Sequence, residues 1–319
     1  NDGRFAKRTV KPPGVCRSGA QRSVAHMRGG GSGRHSELTV TILRDNVARE
    51  GLAPGHGLAM LVRAGESVFL FDTGDSDETW DNADRLGVDL HSVELLVLSH
   101  GHYDHTLGLA ELLRRTGEMR IVAHPGVFEP HWAVDEGRRR YIGIPHSQSE
   151  FEAMGARFEL SAEPVKIAPG VTTTGQIFRD ASPLPAQTRL QVERDGQIMP
   201  DDFVDDMSLA VTLPEACVVL TGCAHAGVIN IVQRCEELSD RPVRALIGGT
   251  HLMHSSEKEV RDVAAELTRR GVRHIAPLHC TGESGKQYLA KHFAGETLAA
   301  GTGDTILVGP DGTLAIAPQ

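Results

Sequence analysis

The chain predicts a layered fold of β-strands packed with α-helices, and three features carry that prediction. The first half is rich in short strand-like runs with few helical periods. The second half alternates strand with helix. Several apolar strands end directly on an Asp or a His. In layered folds the C-terminal ends of strands converge on one rim, so such endings point to a shared site.

The elements follow in order. Residues 38–43 alternate as a strand does, and 67–71 form another that ends in Asp72-Thr73-Gly74. The continuous apolar run 94–99 reads as a buried strand. A helical pattern follows over 106–115, then a strand over 120–123 that ends in His124. Residues 126–160, which include Arg138-Arg139-Arg140-Tyr141, show no clear period and are expected to form a loop or lid insertion. Strands are expected near 165–174, 188–193 and 208–213. A buried strand over 218–221 ends in Gly222-Cys223-Ala224-His225, and a helix over 227–238 follows. The strand 245–247 leads to Gly248-Gly249-Thr250-His251. Ser256 and Glu259 then have capping-box spacing for a helix ending near Gly271. A strand over 273–277 leads to His279-Cys280, and a short helix over 285–293 and a strand pair, 297–300 and 304–308, finish the chain.

Composition limits the function. A chain of 319 residues can bury a full core, and with only 4% aromatic residues that core must be aliphatic. No apolar run approaches the length of a membrane span. Five cysteines without a C-x-x-C spacing argue for a reducing compartment, so a cytoplasmic protein is expected. Residues 1–36 hold eight Lys/Arg and one acid, Asp2, together with Pro12-Pro13 and the Gly-rich run 29–33. They are expected to be a disordered Arg/Gly-rich extension, better explained as a leader than as a targeting signal because the apolar stretch of a secretory signal is missing. The folded domain is expected over 37–319. Outside the extension the net charge is −16, which disfavours nucleic acid and leaves a small molecule, phosphorylated or not, as the expected partner.

Residues 99–105 read Ser-His-Gly-His-Tyr-Asp-His. His100, His102, Asp104 and His105 thus place three imidazoles and a carboxylate within six residues, on the loop between a buried strand and a helix. Three His at fixed positions should arise by chance about 0.04 times in a chain of this composition. Imidazole and carboxylate suit zinc, iron and manganese, and so many donors in one loop can serve two adjacent ions. No Gly-x-Ser-x-Gly elbow, P-loop or dinucleotide fingerprint competes with this signal.

This loop, the Asp72-Thr73-Gly74 turn and the later strand-end histidines resemble the metallo-β-lactamase fold superfamily. The segments 202–210, 220–230, 248–252 and 278–282 resemble one branch of it, typified by 7,8-dihydropterin-6-ylmethyl-4-(β-ribofuranosyl)aminobenzene 5′-phosphate synthase. The resemblance spans about residues 38–310. It implies an α+β fold, an αββα sandwich of two mixed sheets flanked by helices, with two divalent metal ions at one edge: zinc first, manganese or iron as alternatives. It implies that His100 and His102 bind the first ion and that Asp104 and His105 bind the second. His225 is expected as a further ligand and His279 as a ligand of the second ion. Asp72 is expected to orient a ligand His, and His251 to act in catalysis or substrate binding.

The chain departs from the common pattern twice. The stretch 171–177 has no His where many members carry a ligand, and Cys223 and His225 stand where a bridging carboxylate is usual. Cys223 is read as a small buried residue before it is read as a ligand. Asp205 and Asp206 are either site carboxylates or an acidic surface loop. His124 is read as structural, and His131, His146, His274 and His292 as having no role.

In a two-metal site a bound water reaches a pKa near about 7, and the resulting hydroxide attacks a carbonyl or phosphorus. Asp104 would orient or deprotonate that water. Arg138–Arg140 and Arg179 are candidates for a substrate phosphate, although the triple Arg is read first as a solvated basic run. Three functions follow: a hydrolase of a small ester, lactone or phosphate ester; a synthase-type transferase that releases pyrophosphate; and a non-catalytic metal-binding scaffold.

Overall fold

The computed structural model describes residues 38–181, 184–185 and 187–318. The Arg/Gly-rich extension and Cys16 lie outside them. No described helix is long and apolar enough to cross a membrane.

Two large sheets form the frame. The first has eight strands in the order Leu314–Ile316, Thr305–Val308, Leu38–Arg44, Ala59–Ala64, Ser67–Phe71, Leu95–Val97, Met119–Ala123 and Ala156–Leu160. It is antiparallel up to Ser67–Phe71 and parallel beyond it. The second has seven, in the order Glu296–Thr297, His274–Leu278, Val243–Gly249, Cys217–Thr221, Ser208–Thr212, Val171–Thr173 and Lys166–Ala168. Two of its connections are what the strand–helix alternation anticipates: Cys217–Thr221, Val243–Gly249 and His274–Leu278 pair in parallel. Parallel neighbours need a helical crossover, here Val228–Ser239 and Glu257–Arg270.

Apolar periodicity sorts the side chains into layers. Leu38, Val40 and Ile42 of one strand join Val218, Leu220, Ala245, Ile247 and Leu278 of the other sheet in the core between the sheets. Leu43, on the opposite face of the same strand, packs with Trp80, Leu109, Leu112 and Leu113 beneath the helices of the first sheet. Val219, Leu246 and Ile275 face Val232, Val260 and Leu267 beneath the helices of the second. Helix, sheet, sheet, helix is the αββα order. Burial on this scale, at roughly 25 cal/mol per Å² of apolar area, is the main source of stability.

Four differences from the sequence-based expectations have physical reasons. The single helix expected over 106–115 is two, Tyr103–Thr106 and Leu109–Thr116. Gly108 separates them where a Cβ would fall on the Thr73 carbonyl oxygen. The expected loop 126–160 carries regular structure: the strands His131–Asp135 and Arg138–Tyr141, the helix Gln148–Ala153 and the edge strand Ala156–Leu160. Its two short strands join Leu190–Arg194 and Gln197–Pro200 in a separate four-stranded sheet. The closing strands do not pair with each other, because Glu296–Thr297 extends the second sheet and Thr305–Val308 joins Leu38–Arg44 in the first. The helix Glu78–Arg85 and the strands Ala59–Ala64, Gln197–Pro200 and Leu314–Ile316 are additions to the expected set. The capping box does form: Ser256 Oγ accepts from Glu259 N at 3.3 Å, and Glu259 accepts from Ser256 N at 2.7 Å.

Candidate metal centre

The site is assembled at the ends of strands from both sheets. Leu95–Val97 delivers the loop 98–102, and the parallel neighbour Ser67–Phe71 delivers Asp72 beside it. Asp72, fully buried, accepts from Ser99 N and Ser99 Oγ at 2.7 Å each and contacts His105 Nδ1 at 2.6 Å. Ser99 Oγ also contacts His100 Nδ1 at 2.8 Å. One carboxylate therefore fixes two imidazoles, directly and through a hydroxyl. The end of Cys217–Thr221 in the other sheet approaches just as closely, and only Gly fits at 222, where a Cβ would fall on the Ser99 side chain.

The second sheet contributes one short segment per strand end. His225 Nδ1 meets Gln187 Oε1 at 2.5 Å, and Gln187 Nε2 donates to the His225 carbonyl at 2.7 Å. His279 N donates to buried Asp45 at 2.6 Å, and its Nδ1 meets Asn46 Oδ1 at 3.0 Å. Cys223 Sγ lies 3.2 Å from His105 Nε2, and His279 Nε2 lies 3.2 Å from Asp104 Oδ2.

Several overlapping sets of donors result. His100, His102 and His225 each bring one atom to within 4.8 Å of the others. Their Nε2 atoms are buried without a hydrogen-bond partner. Cys223, His279 and Cys280 form a second such set, and Cys223, His225 and His251 a third. Buried polar atoms are normally satisfied, so a convergence of orphaned ring nitrogens needs a reason. A divalent ion supplies one. A nitrogen–oxygen–sulfur donor set fits such an ion, and the opposite ring nitrogens held by Ser99, Gln187 and Asn46 are how proteins orient ligand imidazoles.

Electrostatics agree with neutral imidazoles at His100, His102 and His225. Burial, helped by neighbouring imidazoles, pushes His100 and His225 well below the usual histidine value and His102 to about 3. Burial opposes ionisation of Asp104, yet His279 and His105 beside it hold its carboxyl well below the ordinary range. Burial likewise opposes the His279 imidazolium, and Asp104 and Cys280 outweigh it, giving about 9. The backbone is strained here too. Of eight non-glycine residues with positive φ among the described residues, Asp72, Phe203, Ala224, His251 and His279 border this site. Such conformations persist where the surroundings over-determine them, commonly at functional sites.

The family model of the metallo-β-lactamase superfamily matches residues 52–273. The chain belongs to that superfamily. The chain is 28% identical over 251 residues to the 7,8-dihydropterin-6-methyl-4-(β-D-ribofuranosyl)-aminobenzene-5′-phosphate synthase of Methanocaldococcus jannaschii, which covers 75% of this chain and 85% of that protein. It is 30% identical over 244 residues to an uncharacterized protein of the same organism, covering 76% of this chain and 90% of the relative. Among solved structures it resembles a metal-dependent hydrolase of the β-lactamase superfamily, with a TM-score of 0.74 and 29% identity over 84% of this chain and 98% of that one.

In this superfamily member the sequence-predicted residues His100, His102, Asp104, His105, His225, His251 and His279 border one region, with Asp72 behind it. Asp205 and Asp206 are buried rather than part of a surface loop. Asp205 accepts from Gly101 N at 2.8 Å and Asp206 from Ala226 N at 2.9 Å, so each braces a ligand-bearing loop. Burial raises the Asp206 pKa to about 8. His124 accepts from Gly126 N at 3.0 Å and acts as a local cap.

His131 is not the inert residue expected. It is buried against His102, with ring centroids 5.0 Å apart, and pairs with Asp201 at 2.7 Å. His56, absent from the sequence reading, stands half exposed at the rim with Nε2 3.6 Å from Asp104 Oδ2. Phe203 stacks on His225 at 4.4 Å, and Arg179 lies over Phe203. Phe203 lies in the segment 202–210, whereas no local motif marks His131, His56 or Arg179. The only signal was the isolated Gly55-His56-Gly57, whose second glycine lies against the Asp104 carbonyl. His146, His274 and His292 contact Phe151, Glu296 and Glu257 respectively, away from the donors.

Proposed function

We propose that this chain is a metal-dependent hydrolase acting on a small ester, lactone or phosphate-containing substrate. One observation carries the reading: the unpartnered, buried Nε2 atoms of His100, His102 and His225 gather at one place, with the opposite nitrogens of His100 and His225 held by Ser99 and Gln187. In this reading His100, His102 and His225 hold one divalent ion. Asp104, His105 and His279 hold a second, with the Cys223 sulfur beside them. Zinc accepts this mixture of nitrogen, oxygen and sulfur, whereas manganese and iron suit its nitrogen and oxygen donors. When bound, such ions supply Lewis-acid polarisation of a carbonyl or phosphoryl oxygen and a nucleophile at neutral pH.

The chain's own groups do the rest. Asp104 lines the cavity and offers it a proton-accepting carboxylate oxygen. His251 also lines it, and its Nδ1 is buried without a partner. Protonated there, it would donate to the substrate oxygen on which charge develops. A small-molecule substrate fits the cavity. A cytoplasmic location fits the four described cysteines, all buried free thiols.

A second reading has its own support. The relative named as a dihydropterin–ribofuranosyl-aminobenzene 5′-phosphate synthase favours a transferase that releases pyrophosphate. Elemental analysis of the full chain tests both readings. About two ions per chain, lost in a folded His102→Ala/Asp104→Ala variant, is the expected result. One ion would overturn the dinuclear part, and none after reconstitution would overturn the proposal. Pyrophosphate release from a pterin diphosphate and an aminobenzene ribotide, without hydrolysis of simple esters, would select the transferase.

A further inference from the structure

We propose that the four-stranded sheet is the substrate-reading wall of the site, and that Arg140 on it takes an oxo-acid group, phosphate or carboxylate, that the substrate carries away from its reacting bond. This rests on the metal-dependent reading above.

The inference starts from register. Ala133 of the strand His131–Asp135 is opposite Arg140 on one side and Leu190 on the other. Directly opposed residues share a face, so 140, 133 and 190 form one row across three strands. All three line the cavity that also holds Asp104, His225 and His279. The small Ala133 keeps the middle of that row low, while Leu190 and Ile142 make its surface apolar. The wall is tied to the metal-type loop: Tyr103 N donates to the Ile142 carbonyl at 2.8 Å, and Ile142 N donates to the His131 carbonyl at 2.8 Å. An accessory sheet fixed to the donor loop and presenting a side-chain row to it is placed to read what lies between them.

Charge gives the class of ligand. Two guanidinium groups line the cavity. That of Arg189 is engaged by Asp135 at 2.7 Å. Arg140 makes no ion pair among the described residues and rests over the Tyr103 ring, 5.6 Å from its centroid. The chain outside the first 36 residues carries a net charge of −16, so the surrounding field repels anions, and a local cation is needed to hold one. A guanidinium left over an aromatic face keeps its planar fork available for bidentate contact with a carboxylate or phosphate. The expected substrate has an apolar body against Ala133, Leu190 and Ile142 and an anionic group at Arg140.

The test uses the zinc-loaded full chain and three probes that differ at one end: 4-phosphonobenzoate, 1,4-phenylenediphosphonate and 4-carbamoylphenylphosphonate. Calorimetric titration should find a charged probe bound about tenfold more tightly than the carboxamide. Arg140→Gln should remove that preference. Arg139→Gln, on the opposite face of the same strand, should keep it. The tighter of the two charged probes identifies the group that is read. Equal binding of all three probes, or a preference that survives Arg140→Gln, overturns the inference while leaving the metal-dependent reading in place. If none of the probes binds the zinc-loaded protein, this inference is overturned, while the metal content of that protein decides the metal-dependent reading separately.

Discussion

The two sheets supply the candidate site in opposite ways. The first provides four donors from one loop, His100 to His105, braced by one buried carboxylate, Asp72. The second provides its donors from three separate strand ends: Cys223 and His225, then His251, then His279. Two of these ends have their own brace, Gln187 for His225 and Asn46 with Asp45 for His279. A donor set concentrated in one loop fails or holds as a unit. A distributed set fails one member at a time.

That contrast can be broken by experiment, and the largest effect should come from the concentrated side. Asp72→Ala removes the brace shared by His100 and His105 and leaves Ser99 and His105 with unmet buried partners. Metal content should fall at both positions, with stability lowered by about 3 kcal/mol. Equilibrium dialysis and chemical denaturation would check both. Loss at one position alone would mean that the two loops are less distinct than their hydrogen bonds suggest. Gly222→Ala comes next. Its Cβ meets the Ser99 side chain, so overpacking should cost about 1–3 kcal/mol and weaken metal binding at the first set. A wild-type melting curve would refute the close approach. On the distributed side, Gln187→Ala should weaken the metal at His225 by about tenfold and leave the second ion unchanged, as competition with a chelator would reveal.

The smallest effect lies far from the site. Arg115 pairs with Glu111 in its own helix and with Asp81 and Asp84 in Glu78–Arg85. Hydrogen bonds from Arg114 and Arg115 lower the Glu111 pKa from 4.5 to about 2. Because the folded value lies below the unfolded one, this contribution is present above about pH 4.5 and is lost as pH falls through about 2. Glu111→Gln should therefore cost about 0.5 kcal/mol at neutral pH and nothing at the acid end of a stability–pH profile.

The same contrast explains what was legible in the sequence. The concentrated loop is a local pattern, and its strand, turn and spacing could be read within seven residues. The layered architecture was legible because parallel strands buried on both faces, such as 218–221 and 245–247, leave continuous apolar runs. The braces were not legible. Gln187 acts 38 residues from His225, Asn46 acts 233 residues from His279, and Asp201 acts 70 residues from His131. Nothing in a local window records such pairs. The sheet around 131–141 escaped for another reason. Arg138–Tyr141 is exposed along its length, so it has no buried face to impose a period of two, and its pairing with His131–Asp135 decides its conformation.

That separate sheet has a consequence for how such a chain can change. Its row of Arg140, Ala133 and Leu190 contains none of the residues that gather the orphaned nitrogens, and it meets the donor loop through the Tyr103 ring rather than through a donor. Ligand preference and reaction chemistry are thus written on different strands, and a lineage can revise the first by point mutation while inheriting the second intact.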